Sequence, residues 1–245
     1  MLISRPPMGK DKLKRFNENL SFSNLIQPKI NFPVVDDEKI GNWKKNFFKN
    51  DNPIILELAC GRGEYTVGLA KLFLQQNFIG VDVKGNRMYI GAKKALTENL
   101  HNAAFLRTQI ERIEEFFAPG EVDEIWITFP DPQLRISKAK KRLTHPRFLR
   151  LYQQFLKPSG VIHLKTDSPD LYGFTKKVIE MYGLTIIEDY DDVYKQPGIK
   201  EELKIKTHYE SLDIAKSNTI HYLKFTLPAV IKNIDEQLQE QLRNE

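Results

Sequence analysis

Asp131 stands between two prolines, in Phe129-Pro130-Asp131-Pro132, directly after the apolar run Ile125-Trp126-Ile127-Thr128. Pro130 brings no backbone donor, and Pro132 disfavours helical geometry at the residue before it. The carboxylate therefore sits on a stiff, extended chain just where a buried strand stops. In open parallel α/β sheets, ligands bind at the carboxyl ends of the strands. Between Arg135 and Arg150 the chain then carries seven cations (Arg135, Lys138, Lys140, Lys141, Arg142, Arg147 and Arg150), with His145 and no acid. A fixed carboxylate beside a strip that can pair with phosphates implies chemistry on a nucleic acid. Taken singly, Asp131 also reads as a turn residue capping local backbone, and the strip as a solvated basic face.

A second constellation precedes it. Leu56-Glu57-Leu58-Ala59-Cys60-Gly61-Arg62-Gly63 joins a strand to a helix. Two glycines separated by one residue let backbone approach a ligand closely at a helix N-terminus. A dinucleotide-binding loop would carry a third glycine at position 66, which is Thr66 here, and this argues against NAD. Nineteen residues after Gly63 comes Asp82, the last residue of Gly80-Val81-Asp82. A carboxylate there can accept hydrogen bonds from both hydroxyls of a ribose. The pair suits a nucleoside cofactor without a pyrophosphate, S-adenosyl-L-methionine. Glu57 would bind its cationic methionine end, directly or through the glycine loop, and Gln109 would lie near the adenine. The structural alternatives are a tight turn at Gly61 and Gly63, a helix cap at Asp82 and a surface glutamine at Gln109.

The elements that must position these residues alternate from Pro53 onward. Strands are expected over residues 54–59, 77–82, 104–108, 124–128 and 160–165, and helices over 64–75, 84–99, 146–156 and 169–182. Such alternation means a parallel sheet covered by helices on both faces. Two later strands, 185–190 and 219–226, have no clear helix between them, so the last is expected to pair antiparallel. Residues 191–218 form a long polar connection of a kind that is usually functional or mobile. Three regions follow: a basic extension over 1–50 with short helices around 39–48, a catalytic domain over 51–228, and a charged terminal helix over 229–245. The extension reads equally as an arm covering the sheet or an arm touching substrate.

The chain of 245 residues is 41% hydrophobic, with a net charge of +5, so it is globular with a mild preference for anionic partners. Its single cysteine, Cys60, allows neither an intrachain disulfide nor a cysteine-rich metal site, and the five histidines lack metal-ligand spacing. No apolar run approaches a membrane span, and no signal-peptide core follows Met1 to Arg15. A cytoplasmic protein without metal or membrane partner is the expectation.

From about Ile54 to Leu227 the sequence resembles the bacterial tRNA (guanine-N7)-methyltransferases. The likeness rests on Glu57 with its glycine loop, on Asp82, and on Phe129-Pro-Asp-Pro with a basic continuation ending Lys141-Arg142-Leu143-Thr144. It rests also on Lys165-Thr166-Asp167 and Thr207-His208-Tyr209-Glu210. The resemblance implies a Rossmann-like class I S-adenosylmethionine-dependent methyltransferase fold, with a seven-stranded, mostly parallel sheet whose last strand is antiparallel. It implies that Glu57, Gly61, Gly63, Asp82 and Gln109 line the cofactor site. Asp131 would stand at the cofactor–substrate boundary as the catalytic candidate. Arg135, Asp167 and Thr207 to Glu210 would contact tRNA or the target guanine, in its variable loop, with the enzyme a monomer or homodimer. By spacing alone, Asp167 also reads as a helix cap, and Thr207 with Glu210 as a capping box. The chain departs from the family at Gln133, where tryptophan is usual, at Arg135, where lysine is common, and at Gln109, where an acid or asparagine is usual. Its glycine loop, Ala-Cys-Gly-Arg-Gly, departs as well. Other classes that the residues leave open are a methyltransferase for another RNA, a protein or a small molecule, and a non-catalytic RNA-binding relative.

Overall fold

The computed structural model describes residues 8–28, 41–208, 210–212 and 219–244. In chain order the elements are α1 (Met8–Asn19), β1 (Leu25–Ile26), β2 (Ile54–Leu58), α2 (Glu64–Leu72), β3 (Asn77–Asp82), α3 (Gly85–Thr97), β4 (Ala103–Arg107) and β5 (Val122–Thr128). They continue with α4 (Pro146–Tyr152), β6 (Leu156–Thr166), α5 (Pro169–Tyr182), β7 (Thr185–Tyr190), β8 (His221–Thr226) and α6 (Asp235–Arg243). The strands form one sheet in the order β1-β4-β3-β2-β5-β6-β8-β7. All neighbours pair parallel except β8, which runs antiparallel to both β6 and β7.

The sheet has eight strands where the sequence suggested seven. The extra one, β1, lies in the N-terminal extension and pairs Leu25 with Phe105 and Ile26 with Leu106. Two residues are too few to show a period of two, so alternation could not reveal it. Other described parts of the extension are also docked. Asn19 and Asn24 donate from Nδ2 to the carbonyls of Gly85 (2.8 Å) and Ala92 (3.0 Å). The helical turn Trp43–Phe48 buries Trp43 completely, with its Nε1 donating to the Phe116 carbonyl at 2.8 Å. Residues 1–7 of the basic arm and residues 39 and 40 of the expected helix lie outside the described residues.

Side-chain alternation along β2 divides the core. Ile54, Leu56 and Leu58 join an apolar cluster with Leu149, Leu171, Val178 and Leu238 from α4, α5 and α6. Ile55 faces the opposite cluster with Tyr65, Leu69, Met88 and Phe105. Full burial of each such side chain stabilises the fold by about 1.5–3 kcal/mol. The helix α5 begins at Ser168, whose side chain accepts the Leu171 N–H, with Pro169 in the first turn, and it ends at Gly183 with φ +68°. The cap is therefore Ser168 and not Asp167. Among its described residues the polar connection after β7 holds three short 3₁₀ turns (Val193–Lys195, Glu201–Lys204 and Glu210–Leu212), and Val193 and Leu203 are buried. Tyr65 donates its hydroxyl to the Glu202 carbonyl, so this connection is tied to α2. Among the described residues no helix is long and apolar enough to cross a membrane, and no group of three or more His, Cys, Asp and Glu could hold a metal ion.

Candidate active site

From β2 the chain moves to β3 and β4 on one side and then returns to β5 on the other, so the sheet reverses direction between β2 and β5. The carboxyl ends of the strands at such a reversal bound a ligand crevice. Asp82 ends β3 there. Its Oδ2 accepts the Gly61 N–H at 3.0 Å and its Oδ1 accepts the Lys84 N–H at 2.7 Å. Asp82 is therefore not the cap of α3, whose N-cap is Lys84 without a side-chain bond; it holds the Lys84 amide and the glycine loop. Each carboxylate oxygen keeps a second lone-pair site for a ligand hydroxyl.

The glycine loop needs its glycines. Ala59, Gly61 and Gly63 have φ of +57°, +56° and +71°. A Cβ on Gly63 would stand 2.4 Å from Cε1 of Phe105, and one on Gly91 of α3 would stand 2.6 Å from the Arg62 carbonyl oxygen. The loop is pressed onto β4 and α3, and no side chain fits between them. Gln109, just beyond β4, is exposed, and its carbonyl accepts the Arg112 N–H at 3.0 Å.

Glu57 lies one strand away and is buried. Its Oε2 accepts from the Thr66 N–H at 2.8 Å and from the Thr66 hydroxyl, and its Oε1 accepts from the Thr128 hydroxyl at 2.6 Å. Burial pushes this carboxyl up to about 7, with the three hydrogen bonds opposing the rise. Glu57 therefore joins the first turn of α2 to the ends of β2 and β5. These contacts hold the first turn of α2, which follows the glycine loop. The Glu57 partners, Thr66 and Thr128, carry no sequence signal for this role; Thr66 stands out only as a missing glycine.

At the end of β5, Phe129 takes φ +46° and donates its N–H to the Lys165 carbonyl at 2.8 Å. Asp131 is exposed, and its Oδ1 accepts the Gln133 N–H at 3.0 Å. This local cap engages one of the two carboxylate oxygens. Gln133 itself takes φ +48°. Two non-glycine residues in left-handed geometry on so short a stretch need outside support, and Arg142 supplies it. That side chain is almost fully buried, donating to the carbonyls of Pro132 (3.1 Å) and Gln133 (3.2 Å), and it lies 4.4 Å from the centroid of Phe174.

The basic run therefore divides. Arg135, Lys138, Lys140 and Lys141 are exposed. Arg142 holds the Asp131 loop, Arg147 pairs with Glu111 at 3.3 Å, and Arg150 pairs with Asp235 of α6. His145 caps α4, and burial pushes its imidazole down to about 4. Of the seven cations, Arg142, Arg147 and Arg150 thus have partners within the fold, while Arg135, Lys138, Lys140 and Lys141 are exposed.

The last group surrounds Lys165, a fully buried lysine near the end of β6. Its Nζ donates to the carbonyls of Leu203 and Ile205, both at 2.9 Å, and to Glu210 Oε2 at 3.0 Å. Glu210 Oε1 also accepts the Tyr194 hydroxyl. The Thr207 hydroxyl accepts the Glu210 N–H at 3.1 Å, so half of a capping box is present. Asp167 is half-buried directly after β6, and Tyr209 lies outside the described residues. Asp131, Asp167 and Glu210 thus come from three separate segments that all meet Lys165 or its chain neighbours.

A family model described as "Putative methyltransferase" matches residues 51–223. A tRNA (guanine-N(7)-)-methyltransferase of Bacteroides fragilis is 48% identical over 90% of this chain and 87% of its own length. One of Porphyromonas gingivalis is 52% identical over 84% of this chain and 82% of its own. Among solved structures, a 30S ribosomal A1408 methyltransferase from an uncultured bacterium aligns with a TM-score of 0.57 at 18% identity, over 83% of this chain and 100% of that one. A likeness of that degree speaks for the fold alone.

Proposed function

The chain belongs to the tRNA (guanine-N(7)-)-methyltransferase family, and from that premise we propose that it transfers a methyl group from S-adenosyl-L-methionine to N7 of a guanine in the variable loop of tRNA. One juxtaposition carries the reading. At the reversal of the sheet, Asp82 at the end of β3 is bonded to the Gly61 amide after β2, and the Phe129–Asp131 turn after β5 is bonded to Lys165. The residues fit the cofactor: Asp82 offers two acceptor oxygens to a ribose, Gly61 takes φ +56°, and a Cβ on Gly63 would stand 2.4 Å from Cε1 of Phe105. Asp82 would hold the ribose, the glycine loop backed by Glu57 the methionine end, and Gln109 the adenine. When bound, the cofactor supplies a sulfonium methyl group as electrophile.

Guanine N7 carries a free lone pair at neutral pH, so no side chain has to remove a proton there. The work of the protein is positioning and electrostatics. Asp131, Asp167 and Glu210 are acceptors for the N1–H and N2–H edge of guanine, which adenine cannot offer. Their charge also favours a purine that becomes cationic. Arg135, Lys138, Lys140 and Lys141 are available for phosphates, with affinity that falls as salt rises. Such an enzyme works beside its tRNA in the cytoplasm, as a monomer or homodimer.

The test is transfer of labelled methyl to unmodified tRNA, followed by nucleoside analysis. The expected product is 7-methylguanosine, lost when the variable-loop guanine is replaced. Cofactor binding with no 7-methylguanosine in any tRNA would overturn the reading.

A further inference from the structure

We infer that Lys165 is the positioning residue of the guanine site, an inference that rests on the tRNA guanine reading above. An ammonium group has three donors. Here one goes to the Leu203 carbonyl (2.9 Å), one to the Ile205 carbonyl (2.9 Å) and one to Glu210 Oε2 (3.0 Å). The residue is fully buried, and Nζ lies 5.5 Å from the centroids of both Tyr65 and Phe129. A leucine or methionine would fill this position in the sheet without the desolvation cost of a charge. What the charge adds is a link between segments far apart in sequence.

The links run in three directions. The Lys165 carbonyl accepts the Phe129 N–H at 2.8 Å, two residues before Asp131. Its chain continues through Thr166 to Asp167. Its ammonium holds the 203–210 stretch and fixes the Glu210 carboxylate, which Tyr194 grips from the other side. The side chain therefore fixes Glu210 against the end of β6, where the backbone already holds the Asp131 turn and continues to Asp167. Lys165 touches no substrate and acts through these groups. A site fixed in this way before the RNA arrives loses rate steeply when its support loosens.

The experiment compares wild type, Lys165→Met, Glu210→Gln and the double variant. Lys165→Met should lower kcat for tRNA at least about tenfold while the Kd of S-adenosylhomocysteine stays within about twofold. The double variant should be no worse than the worse single one, because the pair acts as a unit. In Lys165→Met, amide hydrogen exchange over 203–212 should quicken about tenfold relative to β5 and β6. A wild-type kcat, multiplicative losses in the double variant, loss of cofactor-product binding in proportion to kcat, or unchanged exchange would each overturn the inference. The exchange measurement needs no turnover, so its outcome is independent of whether the protein makes 7-methylguanosine. If Lys165→Met does not fold, Glu210→Ala carries the exchange measurement, with the same two outcomes.

Discussion

Asp82 Oδ2 accepts the Gly61 N–H at 3.0 Å, so the acidic end of β3 and the glycine turn after β2 form one rigid unit. Replacing Asp82 by alanine removes a charged acceptor for the ribose and releases the loop together. Charged hydrogen bonds contribute about 1.5–3 kcal/mol each. Asp82→Ala should raise the Kd of S-adenosylhomocysteine about 100-fold, measured by calorimetry on protein whose unfolding transition is retained. An affinity within about twofold of wild type would remove Asp82 from the cofactor site.

Asp131 is expected to act on rate and not on cofactor affinity. Its carboxylate is exposed and spends one oxygen on the Gln133 N–H. Asp131→Ala should cut kcat for tRNA about 10²- to 10³-fold, the usual loss for a preorganised polar group at a reacting centre. The Kd of S-adenosylhomocysteine should change less than about threefold. Single-turnover methylation measures the first quantity, and a wild-type rate would assign Asp131 to the turn alone.

The division of the basic run gives a contrast between neighbours. Lys138→Ala, Lys140→Ala and Lys141→Ala should each weaken tRNA binding and lower the slope of log K against log salt by about 0.7–0.9. Arg142→Ala should leave that slope unchanged. It should instead destabilise the fold by about 1–3 kcal/mol, since it strips part-buried carbonyls of their donor, and lower kcat by freeing the Asp131 loop. Filter binding over a salt series, with thermal unfolding alongside, separates the two. A reduced salt slope in Arg142→Ala would return that residue to the phosphate contacts.

Much of this frame was legible because period and punctuation carry it. The bounds of β3, α5 and β7 match those read from alternation and from Ser168-Pro169. The candidate site was read through glycines and strand-end carboxylates, whose chemistry is local. What remained hidden depends on contacts between distant residues. Nothing near Arg142 in sequence announces that its guanidinium turns inward onto Pro132 and Gln133 while Lys141 stays in solvent. The polar composition of residues 191–212 concealed Val193 and Leu203 as core residues. The Lys165 network turns on a cation at a fully buried position of β6, which Leu203, Ile205 and Glu210 from another segment satisfy.

Glu57 gives a pH dependence with a definite sign. In the folded apo protein burial raises its carboxyl from 4.5 to about 7. Between those values the folded state binds the proton and the unfolded state releases it. Stability from this group is therefore full below about pH 4.5 and is lost as pH rises through 7. A gap of that size corresponds to about 3 kcal/mol. Glu57→Gln cannot titrate, so the stability of the variant relative to wild type should improve by about 2.5 kcal/mol from pH 5 to pH 8, whatever the absolute cost of the substitution. Urea unfolding of both proteins across that range measures the difference. A difference that stays flat with pH would mean that Glu57 is ionised throughout, its charge carried by Thr66 and Thr128.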